Sequence, residues 1–154
     1  ANKGGVTLGI CNGFQILCEA GLLPGTLMHN DSHKFICKNV YLKGQSRSAM
    51  ISSELVDSVV KIPVAHGEGK YFDHPDKLAA LNDNDQVIFR YCDREGNISP
   101  EANPNGSLEN IAGVCNKEKN VFGMMPHPER AAEEVVGNTD GVRILNALSQ
   151  LELV

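Results

Sequence analysis

The stretch L-G-I-C-N-G-F-Q, residues 8–15, places a cysteine between an apolar run and the start of a helical pattern. A strand, a Gly-x-Cys-x-Gly turn and a helix form the pattern of a nucleophile elbow, in which the flanking residues, Gly9 and Gly13, must be small. A helix N-terminus behind Cys11 favours the thiolate, which is the reactive form. The alternative interpretation is structural, with Cys11 closing a buried strand as a small apolar residue.

Two neighbours of Cys11 are predicted to serve the same pocket. The backbone N–H of Asn12 points to where an oxyanion forms when the thiol attacks a carbonyl carbon. Gln15 lies one helical turn past Cys11, so its amide faces the same side. We therefore assign both residues, with the flanking Gly9 and Gly13, to a substrate pocket.

A base and an acid are supplied by P-H-P-E-R, residues 126–130, which directly follows the apolar run V-F-G-M-M. In α/β proteins, binding sites gather at strand ends of this kind. The prolines keep the segment extended, which places Glu129 on the same side as His127 and lets it orient the imidazole. The alternative is a surface histidine beside a surface glutamate in a proline turn. Together with the elbow, the pattern favours a Cys11–His127–Glu129 triad.

A glycine-rich loop, A-H-G-E-G, contains His66, Gly67 and Glu68. Such a loop is equally well explained as a simple turn or as a loop that contacts a substrate or partner. The remaining histidines are expected to be solvated loop residues: His29, His33 and His74. No histidine or cysteine spacing indicates a metal site.

Apolar periodicity predicts the elements that position these residues. Strands are predicted at 6–10 and 35–43, in a segment that ends at about Val64, at 86–92, and as a hairpin over 110–116 and 121–125. Helices are predicted at 14–22, 75–81 and 139–151, and polar loops at 25–34 and 93–107. This alternation predicts one α/β domain over residues 1–154.

Composition narrows the class of protein. The chain is 42% hydrophobic and 21% charged, as in globular domains and unlike disordered chains. Its net charge of −5 without a basic run argues against nucleic-acid binding, and no apolar stretch reaches the roughly 20 residues of a membrane span. Five cysteines, an odd number, indicate reduced thiols and a cytoplasmic location. The four besides Cys11 are expected to pack as small apolar residues.

Three stretches together resemble a known family: L-G-I-C-N-G-F-Q-I-L, P-V-A-H-G-E-G and N-V-F-G-M-M-P-H-P-E-R. They closely resemble the glutaminase subunits of phosphoribosylformylglycinamidine synthases, which are triad-type class I glutamine amidotransferases. The resemblance runs from about Gly5 to Val142. It implies that Cys11 is the nucleophile, that His127 is the base oriented by Glu129, and that Gln15 helps to hold substrate glutamine.

The resemblance also implies a fold. It is a flavodoxin-like, mostly parallel sheet with flanking helices. The family's chains begin with further strand–helix units, and one of their loops supplies a second oxyanion donor. Nothing in this sequence matches that loop, and V-T-L-G-I, apolar on both faces, is typical of a central strand. We therefore expect an N-terminally truncated chain that, on its own, is poorly soluble or oligomeric through this strand edge and has little glutaminase activity.

The implied function is hydrolysis of glutamine in purine biosynthesis. Ammonia would pass to a large synthase subunit, with a small accessory subunit as a further partner. This chain is expected to need no cofactor, because ATP and Mg²⁺ belong to the large subunit. Two alternatives stay open: a cysteine hydrolase or peptidase of the same fold, and an inactive fragment that only docks on its partner.

Overall fold

The computed structural model describes residues 1–149, which form eight strands and four α-helices. The strands are β1 Thr7–Ile10, β2 Thr26–Met28, β3 Ile36–Gly44, β4 Val59–His66, β5 Lys70–Phe72, β6 Val87–Cys92, β7 Ile111–Cys115 and β8 Val121–Met124. The helices are α1 Asn12–Glu19, α2 Met50–Ser53, α3 Pro75–Asp83 and α4 Asp140–Ser149. The end of the predicted helix over 139–151 lies outside the described residues. No helix within residues 1–149 has the length and apolar character that crossing a bilayer requires.

Six strands form one sheet in the order β1-β8-β7-β6-β3-β4, and helices pack against it. The predicted α/β class is confirmed, but the expectation of a mostly parallel sheet is wrong for the described residues. Only β1 and β8 run parallel, and the other four neighbouring pairs are antiparallel. One reason is the turn at 116–120, because a short connection between paired strands forces them to run in opposite directions.

Two short strands were absent from the sequence interpretation. β2 and β5 pair with each other in a separate antiparallel ribbon. β2 lies within the stretch 25–34 that was predicted to be a polar loop, and β5 follows the glycine-rich loop. Each has three residues, too few to show an alternating pattern.

The hairpin β7–β8 lies in the middle of the sheet and is buried on both faces. Phe122 and Met124 belong to one apolar cluster, while Val121 and Met125 belong to the cluster on the opposite face. This explains why V-F-G-M-M is a continuous apolar run. The buried hairpin gives the segment that follows β8 a fixed starting point.

Candidate active site

Cys11 occupies the sharp turn between β1 and α1. Its backbone has φ 52° and ψ −108°, a left-handed conformation that is strained for any residue with a β-carbon. Hydrogen bonds hold the turn on both sides: the Cys11 N–H donates to the Met124 carbonyl at 2.8 Å, and the Gln15 N–H donates to the Cys11 carbonyl at 3.2 Å. This is the backbone geometry of a nucleophile elbow.

The two glycines that flank Cys11 have different environments. A β-carbon on Gly9 would lie 2.5 Å from Leu17 Cδ1 and 2.6 Å from the Gly13 carbonyl oxygen, so Gly9 lets α1 approach β1. A β-carbon on Gly13 would meet no atom within 4 Å among the described residues outside the helix's own backbone. The prediction that Gly13 must be small is therefore wrong here, because its free side faces open space on the first turn of α1.

This difference gives a paired prediction for stability. Gly9→Ala is expected to lower the free energy of unfolding by about 1–3 kcal/mol, because the methyl group overlaps backbone that cannot move without shifting α1. Gly13→Ala is expected to raise it by about 0.5–1 kcal/mol, because alanine favours a helix over glycine. Urea unfolding of the two variants measures both changes. Equal changes in the free energy of unfolding for the two variants would show that α1 does not approach β1 closely at Gly9.

The Cys11 thiol is half-buried and lies 3.7 Å from the Ala65 carbonyl oxygen. Burial raises the pKa of the Cys11 thiol above its usual value, and the nearby carboxylate of Glu129 adds to this. A hydrogen bond from the Asn12 N–H and the charge of Arg130 act in the opposite direction on this pKa without reversing it. Desolvation thus has the larger effect on this pKa, contrary to the expectation that the helix N-terminus would favour the thiolate. A neighbouring base must accept the proton before the sulfur reacts.

The raised pKa predicts how Cys11 reacts with a small electrophile. Alkylation by iodoacetamide is expected to be slow at pH 7 and to rise through an inflection above about pH 8.5, the ordinary cysteine value, because only the thiolate attacks. The exposed Cys37 serves as the reference thiol in the same sample. Mass mapping of labelled peptides against pH measures both rates. An inflection for Cys11 below about pH 8 would mean that the helix dipole outweighs burial.

His127 and Glu129 lie together at the end of β8. His127 Nδ1 is 2.6 Å from Glu129 Oε1, and the His127 N–H donates to the Pro63 carbonyl at 2.8 Å. The His127 side chain is 10% exposed, whereas that of Glu129 is 46% exposed. In the neutral imidazole that donates from Nδ1 to the carboxylate, Nε2 carries no proton, and Nε2 is buried with no hydrogen-bond partner among the described residues. This imidazole is therefore prepared to accept a proton.

The parallel pair β1–β8 brings the two halves of the site to one sheet edge. Ile10 is in register with Met124, so β1 and β8 end side by side. Cys11 directly follows β1, and His127 comes three residues after the end of β8. Glu129 and Arg130 lie close enough for their charges to act on the Cys11 thiol. The structure thus gathers the predicted nucleophile, base and acid where α/β proteins place their sites.

The A-H-G-E-G loop borders the same site. Gln15 Nε2 donates to the Glu68 carbonyl at 2.7 Å, so the side chain of Gln15 is engaged by the loop. The Glu68 side chain points outward, with Oε1 3.4 Å from His29 Nδ1. His66 is instead 3% exposed, and Gly67 accepts a backbone hydrogen bond from Asn30. The Ala65 and Glu68 carbonyls of this loop, rather than the His66 ring, face the site.

The other cysteines differ in exposure. Cys92 and Cys115 are buried and Cys18 is partly buried, as expected for small apolar residues. Cys37 is exposed, so its predicted packing role is wrong. It lies on β3 in a stretch where the sequence alternates weakly, which left its face undetermined.

Sequence reasoning missed Ala65, which contacts the Cys11 thiol, and Asn30 and Asn105, which contact the His66 ring in the loop beside the site. Ala65 contacts the thiol through its carbonyl group, a contact that residue type does not reveal. Asn30 and Asn105 hydrogen-bond to the His66 ring from distant loops. Their only sequence signal is that they are polar residues in loops, which most such residues share.

Comparison with known proteins places the chain in a family. A model of the CobB/CobQ-like glutamine amidotransferase domain matches residues 1–143. "Phosphoribosylformylglycinamidine synthase subunit PurQ" of Chlorobium luteolum is 51% identical over 149 residues, which are 96% of this chain and 64% of that protein. The protein of the same name from Aquifex aeolicus is 50% identical over 149 residues, 96% of this chain and 66% of that protein. The chain thus spans just under two thirds of the length of these curated relatives.

A solved structure shows the same fold. The structure titled "Structure of PurLQS from Thermotoga maritima" contains a chain 40% identical to this one, with a TM-score of 0.81 over 98% of this chain and 64% of that chain. The class I glutamine amidotransferase fold implied by the sequence motifs is confirmed. Matched over residues 1–143, the chain belongs to the CobB/CobQ-like glutamine amidotransferase domain family.

Proposed function

We propose that the intact protein containing this chain is the glutaminase subunit of a phosphoribosylformylglycinamidine synthase. It hydrolyses glutamine to glutamate and passes the ammonia to the large synthase subunit. The observation that carries the proposal is the strained Cys11 elbow, set at one sheet edge with the buried His127 and its partner Glu129. The relatives named as a subunit of this enzyme, about half identical to this chain, support the assignment to a subunit of the synthase.

The first half of the reaction forms a thioester. Because the pKa of the Cys11 thiol is raised, His127 Nε2 takes its proton as the sulfur attacks the side-chain amide carbon of glutamine. The Asn12 N–H, already directed at the sulfur, donates to the oxyanion of the tetrahedral intermediate. His127 then returns the proton to the leaving nitrogen, and the C–N bond breaks to release ammonia.

The second half of the reaction restores the thiol. His127 Nε2 takes a proton from a water molecule, which attacks the thioester carbon. The C–S bond breaks, the sulfur regains its proton from His127, and glutamate leaves. Glu129 holds the imidazole in one tautomer and stabilises its charged form during both halves. The balance is one glutamine and one water converted to one glutamate and one ammonia.

The proposed partners are other subunits of the synthase, since the relatives are named as one subunit of it and the similar solved structure is titled as PurLQS. We propose a large synthase subunit that carries ATP and Mg²⁺ and consumes the ammonia, with a small accessory subunit in the same complex. The chain itself is proposed to need no cofactor, since its triad residues supply the nucleophile, base and acid. A cytoplasmic location suits a site that depends on a free thiol.

A substrate panel tests the proposal. The intact protein, with and without its large subunit, is incubated with glutamine, asparagine, γ-glutamyl amides and a casein peptide mixture. We expect glutamate and ammonia from glutamine, with faster release in the complex. Preferential cleavage of peptides would identify a peptidase of the same fold. Binding to the large subunit without any hydrolysis would identify a docking protein.

A further inference from the structure

The A-H-G-E-G loop is folded around the ring of its own histidine. His66 ends β4 and is 3% exposed, and a β-carbon on Gly69 would overlap its imidazole. Glycine at position 69 therefore lets the loop close over the ring. A histidine buried in this way is unavailable to a ligand, so its role lies in contacts within the protein.

Two asparagines from distant loops face the two nitrogens of this ring. His66 Nδ1 is 3.2 Å from Asn30 Oδ1, and Nε2 is 3.5 Å from Asn105 Nδ2. An amide oxygen accepts and an amide nitrogen donates, so this arrangement requires a neutral ring with its proton on Nδ1. Burial lowers the pKa of His66 to about 4, and the proximity of the His127 ring adds to this, which agrees with a neutral His66 ring at pH 7.

The same asparagines bind the backbone of the loop. Asn30 Nδ2 donates to the His66 carbonyl at 2.9 Å, and the Gly69 N–H donates to Asn30 Oδ1 at 3.0 Å. Asn105 Nδ2 donates to the Gly69 carbonyl at 2.8 Å. Ring and backbone are thus held by one connected set of buried hydrogen bonds, in which removal of the ring takes one contact from each of the two asparagine amides.

Two carbonyl groups of this loop contact residues of the site. The Ala65 carbonyl lies against the Cys11 sulfur at 3.7 Å, one residue before His66. The Glu68 carbonyl accepts the hydrogen bond from Gln15 Nε2 at 2.7 Å, two residues after it. A displacement of the loop therefore moves both the neighbour of the nucleophile and the support of Gln15.

We infer that His66 is a positioning residue for the nucleophile: its neutral ring, held between Asn30 and Asn105, fixes the loop carbonyls against Cys11 and Gln15. The effect on turnover rests on the proposed glutaminase function, whereas the effect on the thiol does not. Displacing a reacting group by about 1 Å costs up to roughly a hundredfold in rate. The ring acts through the loop and does not touch the reacting atoms.

The first test is a set of His66 variants in the intact protein assembled with its large subunit. His66→Ala is expected to lower kcat for glutamine hydrolysis about tenfold to a hundredfold, with a smaller rise in KM. His66→Asn places an amide N–H where Nδ1 stands, so it is expected to recover a large part of the loss. His74→Ala is the matched control, because His74 is an exposed histidine on a different loop, and it is expected to leave kcat unchanged.

The second test measures the reactivity of the Cys11 thiol in the absence of glutamine. In His66→Ala, iodoacetamide is expected to label Cys11 faster relative to Cys37, because a displaced loop exposes the sulfur and relieves the burial that raises its pKa. The buried Cys92 and Cys115 stay protected if the fold is intact. Slower turnover with faster labelling of Cys11 alone is a result that general destabilisation does not give.

Three outcomes would overturn the inference. They are a folded His66→Ala with kcat within twofold of the parent, an unchanged Cys11-to-Cys37 labelling ratio, and equal impairment of His66→Asn and His66→Ala. If His66→Ala unfolds, as labelling of Cys92 and Cys115 would reveal, Asn105→Ser replaces it and must show the same opposed changes. If the parent protein hydrolyses no glutamine, the proposed function fails, and the labelling ratio alone decides whether His66 positions Cys11.

Discussion

Replacing Cys11 by alanine is expected to lower glutamine hydrolysis by the intact protein by about 10⁴-fold or more, because no other group at the elbow forms the covalent intermediate. Cys11 is the nucleophile of the proposed mechanism, and its strained backbone aims the sulfur out of the turn between β1 and α1. Removal of the sulfur leaves the Asn12 N–H and the His127 base, which together give only slow attack by water. Glutamate release from glutamine, with and without the large subunit, measures the loss.

Free ammonia provides the internal control for this variant. The complex with Cys11→Ala is expected to make product at the parent's rate when ammonium salt replaces glutamine, because ammonia then bypasses the thiol. Cys37→Ala is the matched cysteine control, since Cys37 is exposed on β3. It is expected to retain full glutaminase activity. Substantial hydrolysis by Cys11→Ala would contradict the assignment of the nucleophile.

The elbow was predictable from sequence because all of its determinants are local. A strand, a tight turn and a helix follow one another within residues 7–19, and the close approach of α1 to β1 at Gly9 needs only residues four and eight positions away. The pairing of His127 with Glu129 is likewise local, since the two residues are two positions apart. Local geometry of this kind is determined by residue type and spacing, which a sequence displays directly.

The meeting of the elbow with His127 was predictable for a different reason. Both segments follow apolar strands, and the carboxyl ends of parallel strands lie at one edge of a sheet. The structure places β1 and β8 as its one parallel pair among the described strands, in register from Thr7 to Ile10. The general inference of a mostly parallel sheet was wrong, yet the single parallel pair is the one on which the site depends.

What escaped prediction depends on tertiary packing. The raised pKa of the Cys11 thiol follows from its burial, in which Ala65 of a distant strand takes part, whereas the helix N-terminus that favours thiolate is visible in the sequence. The contacts of His66 with Asn30 and Asn105 join three loops separated by more than thirty residues. Neither a desolvated thiol nor a buried amide pair has a sequence pattern of its own.

The burial of Cys11 and the proton acceptor beside it are two parts of one arrangement. A raised thiol pKa keeps the sulfur protonated and unreactive toward small electrophiles at rest. In the proposed mechanism, His127 Nε2, which is buried and without a partner among the described residues, accepts that proton when a substrate is in place. We therefore expect reactivity to depend on the base far more than it would for a cysteine that is a thiolate at rest.

Replacing His127 by alanine is accordingly expected to lower kcat for glutamine at least about 10³-fold, because the proton of Cys11 then has no acceptor and the leaving ammonia no donor. Glu129→Gln is expected to cost less, about 10- to 100-fold. Its amide oxygen still accepts the hydrogen bond from Nδ1, and the Glu129 side chain is 46% exposed, so solvent already screens part of the charge that it contributes. Steady-state kinetics of both variants, with His74→Ala as the control, measure the difference.

Alkylation separates this role of Glu129 from a structural one. The charge of Glu129 raises the pKa of the Cys11 thiol, so Glu129→Gln is expected to speed the reaction of Cys11 with iodoacetamide while it slows turnover of glutamine. If Glu129 merely shaped the P-H-P-E-R turn, without acting on the thiol through its charge, Glu129→Gln would leave the alkylation rate of Cys11 unchanged. Mild and equal losses of turnover in His127→Ala and Glu129→Gln would show that the turn is structural and that the base lies elsewhere.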